Sequence, residues 1–118
     1  MAPFKTCSLC GESWVSRDDL LADPEVVLLG YQAFSANPAE GMLLFNHMTC
    51  QTTLAVRVES LRDLHDGPVH AESLHGTEAC PGRCDTTGDL ERCTNRCAGA
   101  WVREVLQTVK AWPKTPRG

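Results

Sequence analysis

Seven cysteines and four histidines are the residues of this 118-residue chain best suited to metal or redox chemistry, and six of the cysteines fall in pairs. Cys7-Ser8-Leu9-Cys10-Gly11 has the C-x-x-C-G form of a metal knuckle. Two intervening residues let both thiolates face one ion, amides of the tight turn donate to the sulfurs, and the glycine permits a positive φ. His47-Met48-Thr49-Cys50 repeats the spacing with histidine in the first position. Cys7, Cys10, His47 and Cys50 together offer three thiolates and an imidazole, a donor set suited to structural Zn²⁺. A closed four-ligand site leaves no position for water, so its work is folding rather than hydrolysis. The plainer alternative, a buried strand cysteine at 50 and an ordinary surface histidine at 47, leaves the C-x-x-C-G unexplained.

A second group follows in Cys80-Pro81-Gly82-Arg83-Cys84 and Cys93-Thr94-Asn95-Arg96-Cys97. On a helix, Cys93 and Cys97 at i and i+4 would share a face, whereas Pro81-Gly82 makes the first unit a turn. Three readings stay open for Cys80, Cys84, Cys93 and Cys97. They could form a four-thiolate zinc site, they could carry an iron–sulfur cluster, or they could pair as two disulfides clamping a turn to the last helix. The spacing matches neither the bacterial nor the plant ferredoxin pattern. Arg83, Arg92 and Arg96 beside these cysteines would favour thiolates, although a solvated helix face is the simpler role for Arg92. His65, His70 and His75 recur every five residues, share no helix or strand face, and read as surface loop residues.

Composition bounds the function. With 42% hydrophobic and 22% charged residues the chain reads as one globular domain. No strictly apolar run exceeds four residues, where a membrane helix needs roughly 20. No secretory signal is visible at the start, so the expected location is the cytoplasm, where thiols stay reduced and serve metals more often than disulfides. The formal charge of −4 divides as −3 over residues 1–58 and −1 over 59–118. Loading both thiolate sites with zinc would bring it to about −7. Neither half is basic, which weakens a nucleic-acid role and leaves another protein as the expected partner. The stripe Arg92, Arg96, Arg103 and Lys110 reads as a solvated helix face. No glycine-rich phosphate loop, G-x-S-x-G elbow, H-E-x-x-H or C-x-x-C-H is present, so nothing points to an enzyme.

Several elements must position these ligands. Val26 to Phe34 is rich in β-formers, 35–41 is loop chemistry, and Met42 to Phe45 resumes an apolar run, which predicts a hairpin. A third strand is expected over Thr52 to Val58. Ser16 can cap a short helix with Asp18 and Asp19 in its first turn and Pro24 beyond its end. Glu59 to His65 forms a short helix or turn closed by Asp66-Gly67-Pro68, and the polar stretch to Thr77 has no assignment. From Asp89 a helical period places Leu90, Cys93, Cys97, Trp101, Val105, Val109 and Trp112 on one face until Pro113. The tryptophans and phenylalanines read as core.

Two knuckles, each beside a predicted strand, resemble the zinc-ribbon and rubredoxin-like proteins over roughly residues 5–58. The resemblance implies Cys7, Cys10, His47 and Cys50 as ligands. Histidine replaces one cysteine, which favours zinc over the four-thiolate iron sites of electron transfer, and Gln51 stands where a glycine would follow the second knuckle. The whole chain also resembles small cysteine-rich bacterial cytosolic proteins, which implies no activity. The expectation is a single α+β domain spanning 1–118. A zinc-ribbon-like antiparallel β unit fills 1–58, and 59–118 holds a connecting segment, the second cysteine cluster and an amphipathic helix that the cluster ties down. Function is read as a metal-stabilised accessory or regulatory interaction protein, with redox work through the second cluster as the alternative and a nucleic-acid-binding ribbon third.

Overall fold

A computed structural model of the chain describes residues 2–33, 37, 40–74, 76–80, 82–93 and 96–115, with the backbone alone at Arg83. Phe34, most of the 35–41 loop, His75, Pro81, Thr94 and Asn95 lie outside the described residues.

The architecture is α+β, with two antiparallel sheets and a C-terminal helix. Strands β1 (Lys5–Thr6) and β2 (Ser13–Trp14) pair as a short hairpin, Lys5 opposite Trp14. Helix α1 (Arg17–Ala22) follows, its start fixed by the Ser16 side chain accepting from the Asp19 amide. Asp18 and Asp19 occupy its first turn as expected, and Asp23 ends it just ahead of Pro24. A second sheet has the order β3 (Val26–Gln32), β4 (Met42–His47), β5 (Thr52–Arg57). These match the expected hairpin and third strand to within a few residues.

Alternation along β4 buries Leu43, Phe45 and His47, and β5 buries Leu54 and Val56 on the same sheet. Leu20 and Leu21 of α1 complete the core on one side. A 3-10 turn over Val58–Leu64 adds Val58 and Leu61, in the place of the short helix or turn expected over Glu59 to His65. The second helix, α2 (Ala100–Lys110), brings in Trp101, Val102, Val105, Leu106 and Val109. None of the described helices is long and apolar enough to cross a membrane.

α2 corrects the expected helix. It begins at Ala100, not near Asp89, so Cys93 and Cys97 do not share a helical face. The carbonyls that a helix would have used are taken by side chains of α2: Asp89 O accepts from Arg103 Nη1, and Leu90 O accepts from Gln107 Nε2 at 2.8 Å. Leu90 still packs against the core, but from an irregular segment lying along α2. The weak helix formers Asp89, Thr94, Asn95 and Gly99 leave that segment little preference for helix.

A single glycine joins this segment to the sheet. Gly30 sits at the register shift of β3 against β4, and a Cβ there would lie 2.5 Å from the Thr87 carbonyl oxygen. The next residue uses that approach, with the Tyr31 amide donating to Thr87 O at 2.9 Å. The turn that carries Cys84 is thereby fastened to the edge of β3.

Candidate metal centre

The two knuckles are built on two hairpins. The first loop joins β1 to β2, and its Cys7 amide donates to Glu12 O at 2.7 Å. The second joins β4 to β5, where His47 pairs with Thr52. Each loop closes with the same backbone hydrogen bond: Gly11 N to Cys7 O at 2.9 Å, and Gln51 N to His47 O at 2.7 Å. The residue after the second ligand is left-handed in both, with φ of 80° at Gly11 and 59° at Gln51. Gln51 therefore supplies the conformation that the missing glycine would have, at a strain cost of about 1 kcal/mol. Its side chain spans the loop, with Nε2 donating to Met48 O at 3.0 Å.

The hairpins face one another, and the four expected ligands converge. Cys7 Sγ is 3.6 Å from Cys50 Sγ, Cys50 Sγ is 3.4 Å from His47 Nδ1, and Cys10 Sγ is 3.7 Å from His47 Nδ1. All four donor atoms lie within 4.8 Å of one another. A tetrahedral ion with bonds of 2.0–2.3 Å needs ligand separations of about 3.3–3.8 Å, so the cluster could hold a metal ion with little movement. Cys7 and His47 are buried, Cys50 half-buried and Cys10 exposed, so the centre opens to solvent on the Cys10 side.

Electrostatics within the cluster is uneven. The Cys10 backbone amide, with help from His47, Leu9 and Cys50, lowers the Cys7 thiol to about 6 against the opposing effect of burial. Burial and the neighbouring Cys7 push Cys50 up to about 11. The two sulfurs share a site and titrate as a pair: the amides of Cys10 and Leu9 favour the thiolate at Cys7, and burial disfavours it at Cys50 despite the Thr52 amide.

Behind the imidazole stands a polar wall that the sequence reading missed. His47 Nε2 lies 2.9 Å from Glu12 Oε2, close but off the line of the ring N–H, and Glu12, Asp23 and His47 form a second tight group. Trp14 packs edge-on against the His47 ring at 5.1 Å and donates its indole N–H to Asp23 Oδ2 at 2.9 Å. A carboxylate beside the far nitrogen favours the tautomer that leaves Nδ1 free to ligate. The available signal was positional: Glu12 stands just before, and Trp14 within, the strand leaving the first knuckle.

Cys80, Cys84, Cys93 and Cys97 are all half-buried free thiols. Unlike the first set, they do not bring three sulfurs within 4.8 Å of one another among the described residues. Amides point at two of them: Gly82 N lies 3.4 Å from Cys80 Sγ, and Leu74 N and Gly99 N lie 3.1 and 3.5 Å from Cys97 Sγ. Cys93 lines a groove of about 580 Å³ with His65, His70, Trp101 and Glu104. His65 is held by the Pro68 carbonyl 3.0 Å from its Nε2.

The expected cationic stripe is overturned at its centre. Arg103 is fully buried, not solvated, because the irregular segment covers the side of α2 that the sheet leaves open. Arg92 does face solvent, paired with Glu104 at 2.8 Å.

No family model, curated protein or solved structure matches this chain. Fold and site thus define an α+β protein with a cysteine and histidine cluster able to hold a metal ion.

Proposed function

We propose that this chain is a small zinc protein whose Cys7, Cys10, His47 and Cys50 hold a structural ion, and that it serves as an accessory or regulatory module for another protein. The observation that carries the reading is the convergence of three sulfurs and one imidazole nitrogen from two hairpins with matching backbone turns. The mixed donor set favours zinc over iron, and four protein ligands favour structure over catalysis. Zinc would fasten two hairpins whose shared core is small, and metal binding of this kind contributes on the order of 10 kcal/mol to folding.

A protein partner suits the surface near the metal. Leu9 and Met48, the middle residues of the two knuckles, are 66% and 45% exposed, and Val15 is 72% exposed. The acidic balance of the first half argues against a phosphate backbone as the partner.

Elemental analysis of protein purified without chelator or added metal tests the reading. Wild type should carry zinc, and Cys10→Ser and His47→Ala should each lose one equivalent. Full retention of zinc in both variants would sink the assignment.

A further inference from the structure

We infer that a cleft between β3, α2 and the irregular segment ahead of α2 binds an organic carboxylate with a short apolar tail, its head group held by Lys110 and Lys114. The cleft has a volume of about 290 Å³, near the lower end of the range for small-molecule sites. Phe45 and Val109, both buried, give it an apolar floor, and Leu28 of β3 and Leu90 of the irregular segment add half-buried walls. Every charged residue lining it is a cation, Lys110 or Lys114, although the chain as a whole carries −4. Among the described residues no carboxylate forms an ion pair with either lysine.

The walls are fastened in place. Gln107 Nε2 of α2 donates to Leu90 O at 2.8 Å, and the Tyr31 amide of β3 donates to Thr87 O at 2.9 Å. Lys114 is drawn against the protein, with Nζ donating to Leu21 O and Val26 O at 2.7 and 2.8 Å. Those acceptors are neutral, so the positive charge stays uncancelled, and two of the three ammonium N–H groups are used on them. Burial lowers the Lys114 pKa against the attraction of Asp23, as befits an ammonium group short of hydration. A carboxylate supplies both the counter-charge and an acceptor for a charge-assisted hydrogen bond. Lys110, exposed on the last turn of α2, adds a second positive charge.

The combination selects the ligand. A bare anion would leave the apolar floor uncovered, and a neutral apolar molecule would leave the lysines unanswered. A second copy of this chain docked symmetrically through the same cleft would set lysines against lysines. An extended peptide finds no long run of free main chain along β3, because Val26 O is taken by Lys114 and the Tyr31 amide by Thr87. A small molecule with one carboxylate and one short tail meets every feature.

NMR titration of the full-length, metal-loaded protein with octanoate tests the site. Octanoate should shift the amides of Leu28, Leu90 and Val109 saturably. It should bind about tenfold more tightly than octanol, which has the tail without the charge, and acetate, the head without the tail, should give no saturable shift. Lys110→Glu should weaken octanoate binding about tenfold and leave octanol binding unchanged. Absence of saturable shifts at these three amides would overturn the site. Equal affinity for octanoate and octanol, a comparison that needs no substitution, would overturn the role of the carboxylate, as would undiminished octanoate binding in a folded Lys110→Glu protein.

Discussion

Gly11 and Gln51 hold the same place in two facing turns, each left-handed and each donating its amide to the carbonyl four residues back. The pair shows that the two knuckles are one structural device used twice. Only Gly11 adopts that conformation without strain, since it lacks a Cβ.

Gly11→Ala isolates the backbone. A Cβ at this position meets nothing within 4 Å, so the only cost is conformational, about 1 kcal/mol. Urea unfolding of the zinc-loaded protein should show that loss with metal stoichiometry unchanged. A loss of the metal itself would mean that the turn tolerates no adjustment.

Glu12 offers a test of ligand orientation. Glu12→Gln keeps the size of the side chain but removes the charge facing His47 Nε2. Metal affinity should fall about 10- to 100-fold while one equivalent still binds at saturation. Competition against a chromophoric chelator measures this, and unaltered affinity would confine Glu12 to the surface.

Trp14 should report on the first centre. Its ring packs against His47 and its N–H is spent on Asp23, so chelation should shift its emission to the red as the hairpins separate. Trp14→Phe should abolish most of the chelator-induced change although Trp101 and Trp112 remain. An equal response in both proteins would show that the metal does not organise this wall.

Gly30→Ala probes the junction between the sheet and the second cysteine segment. The new Cβ would press on backbone oxygen at 2.5 Å, and forced overpacking of this kind costs about 1–3 kcal/mol. Faster hydrogen exchange at the Tyr31 amide, whose acceptor is Thr87 O, should accompany the loss. A variant with native stability and exchange would disprove the tight approach.

Local chemistry made much of the fold legible. β-formers between turn residues located β3, β4 and β5, Ser16 announced α1, and the C-x-x-C-G spacing found Cys7 and Cys10, to which His47 and Cys50 followed by analogy. What escaped depends on contacts distant in sequence. The helical period through Leu90 and Cys97 was real as a burial pattern, but Arg103 and Gln107 consume the carbonyls that would have continued the helix. A helical wheel also assigns Arg103 to solvent because it cannot include a segment folded over the polar side of α2. Glu12 and Asp23 are ordinary acidic residues until the β1–β2 hairpin brings them behind His47.

The chain beyond α2 returns to the start of the molecule. Lys114 Nζ donates to Leu21 O and Val26 O at 2.7 and 2.8 Å, and the Thr115 amide donates to Ala22 O at 2.7 Å. These bonds close the junction between α1 and β3, the elements that lead from the first knuckle into the sheet. During synthesis, that junction stays open until residue 115 emerges, and a nascent chain carrying both knuckles still lacks the clasp that seats α1. Residues made early are thus clasped by residues made later, and the seating of α1 follows synthesis of α2 and the turn beyond it.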